Sequence, residues 1–244
     1  MRASTLGAVA VSFVVLEACG GSSDGSGPAA ADSGADTAPT FTQTGTIVDF
    51  DDGVPIQGAT VTDGTHTATT GSDGTYSLTV DQGVDFTMTV TAPKYVTLVE
   101  QGSSLAANAS RGTTQLLALA DEPLLEDTLT GYDATLGVLS VAVLLTGSCT
   151  TQANTTLTVS PAGNSHVVYM DNKVPNSSLT SVQDGAFPSA AIYNLPVGVP
   201  ITVSIQGGTC TPSTYPVTYQ GISFDATVAT QPGNVLAFSR VFLQ

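Results

Sequence analysis

Basic residues are scarce in this chain of 244 residues: there are five, against 20 acidic ones, for a formal charge of −15. Beyond residue 18 only Lys94, Arg111, Lys173 and Arg240 carry positive charge. No basic patch can form to neutralise phosphates, which excludes nucleic-acid binding and attraction to anionic lipid headgroups. Tryptophan is absent, which argues against a strong stacking platform for sugars. Charged residues of both signs make up only 10% of the chain, so solubility must come from hydroxyls and backbone. The apolar run at 6–16 (LGAVAVSFVVL) has 11 residues. A membrane-crossing helix needs about 20. Threonine, valine and glycine are plentiful instead. A branched Cβ is stiff at χ1 and suits a pleated strand, so the composition predicts an all-β protein.

The first 18 residues read as a signal peptide, with Arg2 in a thin positive n-region ahead of the apolar run. Leu16-Glu17-Ala18-Cys19 follows. It resembles the lipobox of bacterial lipoproteins, with Leu16, Ala18 and Cys19 matching and Glu17 departing. The resemblance implies lipidation of Cys19, which becomes the new N-terminus. The alternative is an ordinary secretory signal that leaves Cys19 as a free thiol. Three cysteines are an odd count for an exported chain. With Cys19 acylated, Cys149 and Cys210 remain as a pair that an oxidising compartment would join, the alternative being two buried thiols. Residues 19–40 are small, acidic and proline-containing, a disordered tether. Gly21-Ser22-Ser23-Asp24-Gly25 fits a nucleophile-elbow pattern but lacks the strand-to-helix setting such an elbow needs.

Residues 41–120 alternate apolar and polar positions around tight turns. Tyr76-x-Leu78-x-Val80 and Phe86-x-Met88-x-Val90 each bury one face. Asp63-Gly64 and Asp73-Gly74 are hairpin signals. Gly45, Pro55, Gly58, Ala59, Val61, Asp73, Gly74, Tyr76, Gly83 and Tyr95 stand in the order found in a carboxypeptidase regulatory-like domain, which residues 43–99 resemble. Lys94 replaces that family's usual glycine. The resemblance implies a transthyretin-like β-sandwich with no peptidase site. A second unit at 137–244 partly repeats the first: Gly198-Val199-Pro200-Ile201-Thr202-Val203 echoes Gly83-Val84-Asp85-Phe86-Thr87-Met88. Its expected strands are 138–145, 156–160, 166–170, 190–195, 201–205, 214–219, 223–229 and 235–243. The segment between the units, 121–136, is a linker or short helix. The expected fold is therefore two tandem small β-sandwiches after a signal peptide and tether.

Chemistry is thin. His66 and His166 lack partners at metal-ligand spacing and read as half-exposed strand residues. Asp49, Asp51 and Asp52 cluster without the spacing of a calcium loop, and a solvated turn is the plainer reading. Tyr193, Tyr215 and Tyr219 are the candidate sugar-stacking aromatics, with core packing favoured for Tyr219. No catalytic triad, carboxylate pair, phosphate loop or metal centre is legible, so no catalytic residue, metal or cofactor is assigned. The sequence thus predicts a non-enzymatic bacterial lipoprotein of the cell envelope, anchored by lipid at the outer membrane or cell surface, with a carbohydrate-binding module of the envelope as the alternative. The membrane is its partner through the lipid, and its β-sandwiches engage an unknown protein or a polysaccharide.

Overall fold

Alternation at period two becomes strands throughout this computed structural model, which describes residues 39–185 and 187–244, without the side chains of 124–126. The signal peptide, Cys19 and most of the tether lie outside the described residues. The first segment holds β1 (Thr40–Asp49), β2 (Thr60–Thr62), β3 (Thr67–Thr69), β4 (Thr75–Asp81), β5 (Thr89–Thr91), β6 (Thr97–Glu100), β7 (Ser103–Leu105) and β8 (Ala109–Leu116). A short helix, α1 (Glu122–Thr128), follows. Then come β9 (Gly137–Leu145), β10 (Thr155–Ser160), β11 (His166–Asp171), β12 (Val174–Asn176), β13 (Ser189–Leu195) and β14 (Pro200–Gly207). The chain ends with β15 (Val217–Tyr219), β16 (Ile222–Phe224), β17 (Thr227–Ala229) and β18 (Val235–Leu243). The protein is all-β and built as sandwiches.

The sandwiches share a sheet. Nine strands run in the order β12-β11-β13-β9-β18-β6-β5-β2-β3, crossing both segments. Strand β18 is the seam. It pairs in parallel with β9 over eight positions, from Leu236↔Val138 to Leu243↔Leu145, and in parallel with β6 from Val235↔Thr97 to Phe238↔Glu100. Successive side chains of a strand point to opposite faces. Leu236, Phe238 and Phe242 accordingly join one core, while Ala237, Val241 and Leu243 join another. The first core lies under β4-β1-β8 and includes Ile47, Leu78, Val80, Val90, Leu98 and Leu116. The second lies under β10-β14-β17 and includes Leu157, Ile201, Val203, Val141 and Ile192. A third small sheet, β15-β16-β7, carries Val217, Ile222 and Phe224 from late in the chain into the first core. Phe224 and Phe242 are fully buried, each contributing up to about 3 kcal/mol relative to exposure.

Turn chemistry sets the registers. Asp73 Oδ1 accepts from Thr75 N at 3.0 Å and from the Thr75 hydroxyl at 2.7 Å. Gly74 beside it has φ +73°, and a Cβ there would sit 2.5 Å from the Ile47 carbonyl oxygen. Only glycine lets this turn close on β1. Asn172 and Lys173, with φ 48° and 77°, form the two-residue turn between β11 and β12. Gly45 faces Tyr76 across β1 and β4, and the missing Cβ makes room for the tyrosine ring. Cys149 and Cys210 are joined as a disulfide, Cα–Cα 5.8 Å, tying the end of β9 to the end of β14 across a separation of 61 residues. By the chain-entropy argument such a loop is worth about 4 kcal/mol.

Two expected strands break where the chain changes partner. Residues 223–229 divide into β16 and β17, because Phe224 pairs with β7 and Thr227 with β14. Phe86 leaves the expected 86–90 strand to bridge Ser103, while Thr89 and Val90 pair with β6.

The close approach at Gly74 can be separated from its backbone conformation. Gly53 has the same φ, +73°, and a Cβ added there would meet nothing within 4 Å. Gly53→Ala should lower stability by about 1 kcal/mol, the cost of the left-handed conformation alone. Gly74→Ala should cost a further ~1–3 kcal/mol through steric strain. Urea unfolding of the two variants checks the difference, and equal losses would contradict it.

Candidate functional site

An open groove of about 700 Å³ lies on the outer side of β8-β1-β4, continued by β3. Its walls are hydroxyls: Thr44, Thr46, Thr69, Thr75, Ser77 and Thr113. These positions follow from alternation. In β1 and β4 the odd-numbered Gln43, Gly45 and Ile47 and the even-numbered Tyr76 and Leu78 are buried, which turns Thr44, Thr46, Thr75 and Ser77 outward. Cross-strand pairing then aligns Thr44 with Ser77 and Thr46 with Thr75. Among the described residues, no charged side chain lines the groove.

Beneath it lies a buried ion cluster. Strand β8 carries a register shift against β1 between Thr44 and Thr46, with Gly112 at φ +75° supplying the extra residue. The bulge lets both Arg111 and Thr114 point inward while Ser110 and Thr113 stay outside. Glu100, completely buried on β6, accepts from Arg111 Nη1 and from Arg240 Nη1, the latter at 2.6 Å. Its other oxygen accepts from the Thr114 hydroxyl at 3.3 Å. Arg111 Nη2 donates to Ser103 Oγ at 2.7 Å. Both guanidinium groups lie over the Phe224 ring, at 5.4 and 5.2 Å, and Arg240 also over Phe238 at 4.7 Å. Burial alone would raise the Glu100 carboxyl, but the two arginines outweigh it and hold the group below its ordinary range. Gln101 continues the network, accepting from Arg240 N and donating to the Asp225 carbonyl at 2.8 Å. Tyr215, whose hydroxyl burial pushes up to about 12, donates to the Arg240 carbonyl at 2.6 Å. Arg111 Nε and Gln43 Oε1 are buried with no hydrogen-bond partner among the described residues.

The sequence reading missed Glu100, Arg111 and Arg240 as a unit. A signal was present: Arg240 interrupts the apolar run of β18, and a charge placed there must be paired if it is buried.

The other candidates serve the fold. Asp49 Oδ1 accepts from Asp51 N at 2.7 Å and Asp52 N at 3.3 Å, and Asp49 Oδ2 accepts from the Tyr95 hydroxyl at 3.0 Å. Lys173 Nζ occupies the same turn, donating to the carbonyls of Phe50 and Asp51. It also sits 4.9 Å from the Phe50 ring and 5.2 Å from the Phe187 ring. A cation is thus already held where the acidic turn offered its carbonyls. No group of three or more metal-ligating side chains comes together among the described residues. His66 Nδ1 lies 3.0 Å from Asp63 Oδ2 across the turn into β3, and His166 stacks on Tyr193 at 5.2 Å. Tyr193 is buried and donates to the Thr130 carbonyl, while Tyr219 packs on Phe242. None of the three candidate tyrosines lines the groove.

No protein-family profile and no curated protein matches the chain. Solved structures match weakly. A cohesin–X-dockerin complex from Acetivibrio cellulolyticus is 24% identical over 32% of this chain and 56% of that one, with a TM-score of 0.28. The present chain therefore spans little more than half of that neighbour. The minor pilin GBS52 of Streptococcus agalactiae is 9% identical over 84% of this chain and 96% of that one, with a TM-score of 0.23. A point mutant of the major pilin from Streptococcus pyogenes is 11% identical over 84% and 98%, with a TM-score of 0.26. Likenesses at these scores do not bear on function.

Replacing Glu100 by Gln leaves two buried guanidinium groups without their counter-charge and should cost about 3–5 kcal/mol. A carboxyl lower in the folded than in the unfolded chain stabilises above its unfolded pKa, and the gain disappears as pH falls through the folded value. The wild-type advantage over Glu100→Gln should therefore be full at neutral pH and shrink below the ordinary carboxylate range, as urea midpoints across pH will show. The Lys173 latch has its own test. The chain has two lysines. An amine-reactive ester followed by peptide mapping should modify exposed Lys94 well before Lys173, and equal rates would contradict the latch.

Proposed function

We propose that the protein is a non-catalytic interaction module of a bacterial cell envelope, anchored through a lipid on Cys19. In this reading, 41–120 forms a carboxypeptidase regulatory-like sandwich, completed by β15, β16 and one face of β18, and the rest of 137–244 forms a second one. The observation that carries it is where the chemically capable side chains go. Cys149 and Cys210 are spent on a disulfide, which fits an oxidising compartment. Glu100 and two arginines are spent inside the core, Lys173 on a turn, and Asp63 with His66 on a hairpin. The outward face of β8-β1-β4 keeps hydroxyls, and its described residues present no acid–base pair.

The anchor is tested by expressing the full chain in a bacterium, separating membrane from soluble material and weighing the mature protein intact. The expected product is membrane-bound, begins at Cys19, carries acyl chains and has two hydrogens fewer than the reduced form. Cys19→Ala should move the protein to the soluble fraction. A wild-type product that is soluble and free of fatty acid overturns the anchor.

A further inference from the structure

We propose that the groove over β8-β1-β4 binds a neutral polysaccharide. The inference names a ligand for the interaction module proposed above and rests on that reading.

Three observations converge on this surface. The first is its shape: an open hollow of about 700 Å³ along the sheet face has room for an extended chain. The second is unused hydrogen-bonding capacity. Thr75 is engaged with Asp73, and Ser110 Oγ accepts from Gly112 N at 3.3 Å. The hydroxyls of Thr44, Thr46, Thr69, Ser77 and Thr113 make no hydrogen bond to any described residue. Some threonine hydroxyls elsewhere are used internally: Thr70 bonds the Ile56 carbonyl, Thr146 the Leu243 carbonyl, Thr230 the Pro196 carbonyl and Thr151 the Asp184 carboxylate. Five free hydroxyls facing one hollow, each able to donate and accept, suit a partner with donors and acceptors along its whole length.

The third is charge. The described lining holds no Asp, Glu, Lys, Arg or His, on a chain of net charge −15. Nothing there pairs with a phosphate, carboxylate, sulfate or ammonium group, and the surrounding field repels polyanions. A neutral, hydroxyl-bearing chain meets both conditions. The threonine methyls and Ala68 give it apolar surface for C–H faces. Gly112 adds no side-chain bulk above the sheet. The arrangement differs from sugar sites built on exposed indoles, since the tyrosines are elsewhere and tryptophan is absent. Binding of this kind relies on many weak hydrogen bonds, so it should be modest per site and stronger for polymers than for short oligosaccharides.

The experiment is affinity electrophoresis of the full mature chain in mild non-ionic detergent. The gels contain hydroxyethylcellulose, dextran or galactomannan, with alginate as the polyanionic comparison. The groove variant is Thr44→Val with Ser77→Ala and Thr113→Val. These positions are exposed, so folding is verified by circular dichroism and by an unchanged urea midpoint. We expect retardation by at least one neutral polymer, none by alginate, and at least a tenfold weaker affinity in the triple variant. A second variant, Ser77→Asp, should abolish retardation without removing bulk. Retardation by a neutral polymer that is equal in wild type and both variants overturns the groove while leaving an interaction module that binds elsewhere. No retardation by any neutral polymer overturns the polysaccharide proposal outright. The Cys19 anchor is read separately by fractionation and stands or falls on its own.

Discussion

A carboxylate with no solvent contact, shared by two arginines, is the constraint on which the rest of this structure depends. Glu100 comes from β6, Arg240 from the neighbouring β18 and Arg111 from β8 in the facing sheet. The three can only meet if β18 lies beside β6, if the two sheets of the first sandwich face each other, and if β8 carries its bulge. Taking three charges out of water is costly, and the cluster keeps a net positive charge. Two guanidinium groups over Phe224, together with Ser103, Thr114 and Gln101, offset part of that cost. A one-residue slip of β18 would put Ser239 or Val241 where Arg240 now sits and leave Glu100 with Arg111 as its one remaining arginine partner. The cluster therefore specifies register more than it adds net stability.

Strand β18 passes that specification to the second sandwich. One face contributes Phe238 and Phe242 to the first core, and the other contributes Ala237, Val241 and Leu243 to the second. Its parallel pairing with both β6 and β9 gives two cores a common wall. The disulfide acts at the far side of the second core, and the Lys173 latch ties its β11–β12 turn to the acidic turn after β1. Three of the four basic residues in the described part are thus used internally. The outer surface is left acidic and rich in hydroxyls.

Much of the local structure was legible in the sequence. Alternation located β4, β9, β10, β11, β13, β14 and β18, and the Asp-Gly dipeptides located turns whose Asp side chains cap the following amides. The segment 121–136, expected as a linker or a short helix, holds α1 at Glu122–Thr128. Long-range pairing was not legible. Nothing near Leu236 tells that it will lie between β6 and β9, and the division of 223–229 arises from partners over 100 residues away in β7 and 25–29 residues away in β14. The ion cluster was hidden for the same reason, since its members are 11 and 140 residues apart in sequence. The groove could be partly seen: Thr75 and Ser77 were outward by alternation with Tyr76 and Leu78, but Ser110 and Thr113 face it only because of the Gly112 bulge.

The central claim is that β18 and the Glu100 cluster make the two cores one cooperative body. Native-state hydrogen exchange in rising denaturant measures this directly. Amides of β2 and β5, beside the first core, and of β10 and β14, beside the second, should converge on one opening free energy with one denaturant dependence. Amides of β10 and β14 that stay protected after those of β2 and β5 have opened would contradict the account.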